Sequence, residues 1–323
     1  MIKLSVACVI DDDLASQIQT SNARCTRAAY DVSVVQALRR IYNKVTLVSV
    51  GEDDKAAIDH LLRLRPDVVV NLAYASHPLE ASFVGLLEIL GLRYTGSSPR
   101  GIVLANDKTR SRHLLKAAGV RVPNFVELVQ GETAAINLPP PLLVKPSSLA
   151  SSAGINDDSL VKTPEEARKR AERIWKRFGT TALCDEFVVG REFRMSMIEA
   201  TATSIKPGAI IEWHFGTAKP GWGFRTEAIR INGRVQRLRQ VTRDLADLPR
   251  RKTEELAAMA RTAMKALDIR GYSTFDLRMD DRERVTVIEV NANPGLWSGS
   301  RLWTNPSFEA TIKKIVAAAL RRE

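Results

Sequence analysis

Over the first 95 residues, apolar runs of strand length alternate with segments whose apolar positions recur at helical spacing. LSVACVI (4–10), KVTLVSV (44–50) and PDVVVNLA (66–73) are the strand-like runs. DVSVVQALRRIY (31–42), AAIDHLLRL (56–64) and EASFVGLLEILG (80–91) are the helical ones, the last closed by Gly91 just past its end, and a short strand LRYTGS follows. Strands that alternate with amphipathic helices predict a parallel α/β sheet, because each crossover returns the chain to the same edge of the sheet.

Beyond residue 100 the rhythm changes. A helix from Lys108 to Ala118 stops at Gly119, with Pro123 beyond it. After the proline-rich LPPP come a strand, LLVKP, and a small-residue loop, SSLASSAG. A helix is expected at 164–178, where Thr163-x-x-Glu166 forms a capping box and Pro164 takes the first helical position. The strand ALCDEFVVG follows. Residues 192–250 read as mainly β, with turn signals at Lys206-Pro207-Gly208 and Pro220-Gly221, and with RTEAIRINGRVQRLRQVTRDL (225–245) β-like and loop-like. TEELAAMARTAMKAL is a helix, YSTFDLRMD and VTVIEVN are strands joined by a turn at Asp280–Arg284, and FEATIKKIVAAAL is a closing helix.

Composition narrows the class. The 323 residues are 45% hydrophobic and 26% charged, a globular balance at a length that suits two or three modules. Three widely spaced cysteines, Cys8, Cys25 and Cys184, without a CxxC pair, indicate neither a disulfide framework nor a zinc site. The N-terminal apolar run is too short for a signal segment and no stretch reaches membrane-spanning length, so a cytoplasmic protein without a membrane partner is expected. The net charge of +11 fits either a basic solvated surface or an anionic ligand. The basic stretch near 225–252 has few aromatics to stack bases, which disfavours nucleic acid.

The candidate chemistry begins at VIEVNANPG. Glu289 and Asn291 lie two apart and therefore on one face of a strand, and Asp276 in the partner strand of the hairpin can face them. Three oxygen donors on adjacent strands suit a hard cation such as Mg²⁺ that takes its remaining ligands from water and phosphate; an exposed polar sheet face has the same pattern. Lys145 ends a strand before a loop containing Ser147, Ser148, Ser151, Ser152 and Gly154, and small residues let backbone N–H groups approach an anion. Lys108 opens a helix, where the dipole favours phosphate. In CDEFVVGREF, Asp185 and Glu192 flank an apolar stretch that could offer its backbone to an adenine edge, one acid reaching an amino group and the other a ribose hydroxyl.

LLEILGLRYTGSS, NDKTRSRHLLKAAGVRVP, LLVKPSSLASSAG, DEFVVGREF and FDLRMD followed by VIEVNANPG occur in that order. Together they resemble the ATP-grasp superfamily, and within it the D-alanine–D-alanine ligase type, most closely from Leu86 onward. The resemblance implies an ATP-grasp fold, α/β with an α+β C-terminal half: an N-terminal pre-ATP-grasp unit over 1–100, a central subdomain over 101–185 and a C-terminal subdomain with the metal site over 186–323. It implies that Lys108 and Lys145 hold ATP phosphates, that Ser151, Ser152 and their loop cover the β- and γ-phosphates, and that Asp185 meets the adenine amino group. It places the backbone of Glu186 and Val188 on the adenine edge, Glu192 on the ribose, and Asp276, Glu289 and Asn291 on two Mg²⁺, with Mn²⁺ as a substitute. Gly295 and Ser300 would line the acyl site and hold an incoming carboxylate, and a homodimer through the N-terminal unit is a family expectation.

The chain also departs from that pattern. The family carries an arginine two residues before the first metal aspartate, where it donates to the oxyanion; here Thr274 stands there, with Arg278 and Arg225 as candidates to compensate, Arg278 having an ordinary salt bridge as its other reading. IDDDLAS and NLAYASHP replace the loops that hold the first D-alanine, and Leu149 and Ala150 replace the acid and glycine of the phosphate-covering loop. The expectation is therefore an ATP-dependent carboxylate–amine ligase that joins amino acids or small peptides through an acyl phosphate, with a substrate pair of its own. An authentic D-alanine–D-alanine ligase and a nucleotide-binding regulator are the alternatives.

Overall fold

The computed structural model describes residues 2–11, 27–51, 53–73, 79–149, 152–201, 204–304 and 306–322. Its elements form three sheets. In the first, β1 (Ile2–Asp11) lies between β2 (Tyr42–Val50) and β3 (Val68–Asn71), all parallel. The connections include the helices α1 (Arg27–Ile41) and α2 (Asp54–Leu64), as the alternating pattern predicts. LRYTGS does not become a full strand: Tyr94 makes one parallel bridge to Val69, and the chain then turns away into α4. α3 (Glu80–Ile89) precedes it, and α4 (Pro99–Asn106) is a helix the sequence reading missed. Its signal was present: Ser98 accepts from the Gly101 N–H as an N-cap and Pro99 occupies the first turn.

α5 (Lys108–Ala117), capped by Asp107, leads into the second sheet, an antiparallel set in the order β4-β7-β5-β6. Its strands are β4 (Phe125–Leu128), β5 (Leu142–Pro146), β6 (Leu160–Val161) and β7 (Ala182–Glu186). α6 (Pro164–Phe178) covers it with Ala167, Ala171 and Ile174, which share a core with Leu142, Val144 and Cys184. Cys184 is free and buried; burial, with Asp185 beside it, pushes its thiol up to about 12.

The third sheet is antiparallel, ordered β10-β9-β8-β11-β12. β8 (Arg191–Thr201) and β9 (Ser204–Phe215) are long, and β11 (Tyr272–Met279) and β12 (Val285–Asn291) form the expected hairpin. Two expectations are corrected here. Lys206-Pro207-Gly208 is no turn: β9 runs through it, and the missing Pro207 N–H is accommodated at a register irregularity opposite Met195–Met197. The stretch 225–245 folds as α7 (Glu227–Ile231), α8 (Gly233–Leu238) and β10 (Val241–Leu245), because Thr226 and Asn232 each accept backbone N–H groups and so start a helical turn.

α9 (Arg250–Ala266) buries Leu256, Ala260, Ala263 and Met264 against Phe193, Met195, Met197, Phe275, Leu277 and Met279 of the third sheet. Each Leu, Met or Phe side chain among them taken from water contributes roughly 1.5–3 kcal/mol, so this face is firmly assigned to the core. α10 (Phe308–Leu320) sets Ile312, Ile315 and Val316 against Val6, Cys8 and Ile10 of the first sheet and Ile198 and Tyr272 of the third. Asn293 adds a polar tie at the end of β12, accepting from the Ser97 N–H and donating to Glu80. Among the described residues, no helix is long and apolar enough to cross a membrane.

Candidate functional site

With one face of the third sheet committed to α9, alternation along the strands sends the intervening residues to the other face. The register arranges them in rows. In the first, Arg278 of β11 lies opposite Glu192 of β8, Glu192 opposite Trp213 of β9, and Trp213 opposite Arg243 of β10. In the second, Glu289 of β12 lies opposite Asp276, and Asp276 opposite Arg194 of β8. In the third, Asn291 lies opposite Thr274, and Thr274 opposite Ser196. The facing of Asp276 and Glu289 that the hairpin pattern implied is thus realised.

A cavity opens beside the first two rows, lined by Leu143, Lys145, Asp185, Val188, Glu192, Arg225, Asp276 and Glu289 among others. Ser152, with φ of 59°, and Ile155 close one side of it. α5 holds the second sheet to the hairpin: Arg112 donates to Asp185 at 2.8 Å and to the Ile288 carbonyl at 3.2 Å.

Lys145 is buried, and its Nζ lies 3.1 Å from Asp185 Oδ2. Burial pushes its pKa below the usual lysine range, against the opposing pull of Asp185. Asp185 lines the cavity, and its Oδ1 is buried with no hydrogen-bond partner among the described residues. Lys108, also buried, donates to the Leu149 carbonyl and lies 3.2 Å from Glu289, so it fastens the loop after β5 to β12. The hydroxyls of Ser147 and Ser148 turn instead to Thr181 and Thr180, at 2.6 and 2.7 Å. Ser151 and Ala150, and most of IDDDLAS and of NLAYASHP, lie outside the described residues.

The acids are heavily paired. Arg194 grips both oxygens of Asp276 at 2.6 and 2.7 Å, and Arg225 adds a contact to Oδ1 at 2.7 Å. Burial pushes this carboxyl up, but the two guanidiniums outweigh it and hold it well below the usual carboxylate range. Glu192 accepts from Arg225 at 2.7 Å and from Arg278 at 2.9 Å. Desolvation lowers the pKa of the largely enclosed Arg225, yet Asp276 and Glu192 keep it above the ordinary arginine value. Sequence reasoning did not single out Arg194; its place two residues after Glu192 on the same strand face was the available signal.

Arg278 has the contacts of the salt-bridge reading. Besides Glu192 it donates to the carbonyls of Val188, Gly190, Gly221 and Gly223, and it stacks on Phe187 at 4.6 Å. All five guanidinium N–H groups are therefore committed. Gly190 is required here, since an added Cβ would meet the Met279 carbonyl at 2.0 Å. The Glu186 amide donates to Asn124, and its carboxylate accepts from the Asn124 side chain at 2.8 Å. Gly295 and Ser300 lie beyond β12, outside the cavity lining: the Gly295 carbonyl accepts from Trp303, and the Ser300 hydroxyl caps a short turn at Leu302. The arginines of 225–243 do not form one patch: Arg225 enters the site, Arg239 clamps Asp157, and Arg243 lies between Trp213 and Trp297.

The donor set fits a hard divalent cation. Glu289 and Asn291 sit on one strand face and offer a carboxylate and an amide oxygen, and Asp276, whose two oxygens already accept from Arg194, faces Glu289. No group of three His, Cys, Asp or Glu side chains placed to hold a metal occurs among the described residues, so water and a phosphate-bearing ligand would complete the coordination.

The family model for the D-ala D-ala ligase C-terminus matches residues 114–307. A D-alanine–D-alanine ligase of Gluconobacter oxydans is 31% identical to the chain over 288 residues, covering 88% of the chain and 89% of that protein. The D-alanine–D-alanine ligase of Bacillus anthracis complexed with ATP has the same fold, with a TM-score of 0.73 at 18% identity over 98% of each chain. The VanG D-Ala:D-Ser ligase of Enterococcus faecalis matches with a TM-score of 0.69 at 17% identity, over 98% of this chain and 100% of that one.

Proposed function

The chain belongs to the D-alanine–D-alanine ligase family, and from that membership we propose that it joins a carboxylate to an amine, converting ATP to ADP and phosphate, on a substrate pair of its own. The observation that carries the reading is the gathering of Lys145, Asp185, Glu192, Asp276 and Glu289 around one cavity, with Lys108 bonded to Glu289 beside it.

In this reading Lys145 and Lys108 bind the phosphates, and the Ser151–Ser152 loop covers them. Asp185 Oδ1, the unpartnered acceptor, takes the adenine amino group, and the backbone at Glu186 and Val188 meets the ring edge. Glu192, held by two arginines, receives the ribose hydroxyls. Asp276 and Glu289 across the hairpin, and Glu289 and Asn291 along one strand, make two oxygen pairs that suit two Mg²⁺, which would draw charge from the transferring phosphoryl group. Gly295 and Ser300 border the amino-acid side. The division at residues 100 and 185, and a homodimer through the N-terminal unit, belong to the same reading.

A substrate pair distinct from two D-alanines is supported by Thr274 and by the altered loops at IDDDLAS and NLAYASHP. The test is phosphate release from Mg-ATP across paired L- and D-amino acids and dipeptides, with mass spectrometry of products. Turnover that needs one pair, with a product one water lighter than their sum, supports the ligase and names its substrates. Preference for D-alanine with D-alanine or D-serine returns the chain to its relatives' activity. ATP binding without turnover on any pair favours a nucleotide-binding regulator.

A further inference from the structure

Resting on the ligase reading, we propose that Arg194 is the catalytic cation at the reacting carbonyl, supplied from β8 in place of the guanidinium missing from position 274 of β11. Thr274 is 1% exposed and its side chain is neutral, so it supplies no cation to a substrate oxyanion. Arg278 is excluded because every N–H it has is taken by Glu192 and four carbonyls. Arg225 bridges Glu192 in the first row to Asp276 in the second and stacks on Trp213 at 5.2 Å, which places it on the nucleotide side of Asp276.

Arg194 differs in geometry. Its Nε and one Nη2 hydrogen fork onto the two oxygens of Asp276, which fixes the plane of the guanidinium. Nη1 has no hydrogen-bond or ion-pair partner among the described residues, so the Nη1–Nη2 edge keeps three N–H groups. The side chain is 28% exposed, twice the 14% of Arg225, and it lies just outside the cavity lining, beside Asp276, which is part of it. Its row lies between the nucleotide row of Glu192 and Arg278 and the row of Ser196, Thr274 and Asn291, next to which β12 leads into Gly295 and Ser300. The reacting carbon must lie at that boundary, because it exchanges a phosphate on one side for an amine on the other.

There the amine nitrogen forms a bond to the acyl-phosphate carbon while the carbonyl π pair moves to oxygen. Collapse of that oxyanion expels phosphate with the C–O bonding pair, and the amine proton leaves to solvent or base. A planar donor already held by Asp276 meets the oxyanion without reorganisation. Asp276 thereby acts as a positioning residue for Arg194.

The experiment compares wild type with Arg194→Ala and Arg194→Lys on the pair found above. Measured are kcat, the dissociation constant for Mg-ATP, positional isotope exchange in ATP as a readout of acyl-phosphate formation, and rescue by added guanidinium. The expected result for Arg194→Ala is a fall in kcat of about 10²–10³, the size typical of losing one oxyanion donor. Mg-ATP affinity should stay within about threefold, isotope exchange should persist, and guanidinium should restore part of the rate. Lysine, lacking the fork, should recover little. Unchanged kcat, or a fall matched by an equal loss of Mg-ATP affinity, overturns the proposal and leaves the ligase reading intact. A wild-type protein that joins no pair ends the ligase reading and this proposal with it.

Discussion

The two ends of the polar face are finished differently. In the row of Arg278 and Glu192, all five guanidinium N–H groups and both carboxylate oxygens have protein partners. In the row of Thr274 and Asn291, the hydroxyl and the amide nitrogen are buried without any. Buried polar groups ordinarily find partners, so the Arg278–Glu192 pair is complete as folded and the Thr274–Asn291 pair is not, although Trp213 Nε1 further along the first row is also buried without a partner. In the proposed reading the nucleotide end is a cradle whose hub is paired as folded, and the amino-acid end keeps unspent hydrogen-bonding capacity where a substrate identity would be read.

The largest effect that tests this contrast lies between the rows. Glu289→Gln keeps the size of the side chain but removes the charge shared by Lys108 and the proposed cation. Mg-ATP turnover should fall by about a thousandfold, ~4 kcal/mol of barrier, while the circular dichroism spectrum stays native. A folded mutant that turns over at the wild-type rate would remove Glu289 from the site. Lys145→Ala should weaken ATP affinity and turnover together, because among the described residues its Nζ has only Asp185 as an ion-pair partner; unchanged affinity and rate would leave it a structural lysine.

Next in size is the cradle itself. Arg278→Met removes the hub of four carbonyls and leaves Glu192 with one partner, Arg225. Breaking a buried pair of this kind costs about 3–5 kcal/mol, which urea unfolding would read as a lowered midpoint at unchanged slope. A loss under about 1 kcal/mol would mean the row tolerates vacancies as the Thr274 row does.

How much of this was legible follows from what sets each feature. The alternation of strands and helices in 1–95 and the hairpin of Asp276 with Glu289 are local or next-neighbour patterns, and periodicity exposes them. Lys206-Pro207-Gly208 read as a turn, yet β9 runs through it, because pairing with β8 overrides a local signal and the irregularity that absorbs Pro207 lies on both strands. The short helices after Thr226 were hidden by β-branched residues and revealed only by their caps. In the site, residue types were readable but commitments were not. Nothing in FDLRMD tells that Arg278 spends its whole guanidinium on Glu192 and four carbonyls of distant loops, or that Arg194, 82 residues away, closes on Asp276.

The smallest expected effect separates the two rows most cleanly. Thr274→Val replaces a buried hydroxyl without a partner by a methyl of similar shape. Removing an unsatisfied polar group is neutral or stabilising, within about 1 kcal/mol, so unfolding midpoints should stay level or rise slightly. The row's incompleteness predicts more: if Thr274 Oγ1 awaits a substrate atom, KM for one amino-acid partner should rise several-fold while kcat and Mg-ATP affinity hold, because the lost bond serves binding alone. A fall in kcat with KM unchanged would instead put the hydroxyl in the transition state, beside Arg194. A variant unchanged in every constant would make Thr274 a space-filler, and the distinction between the rows would then rest on Asn291 alone.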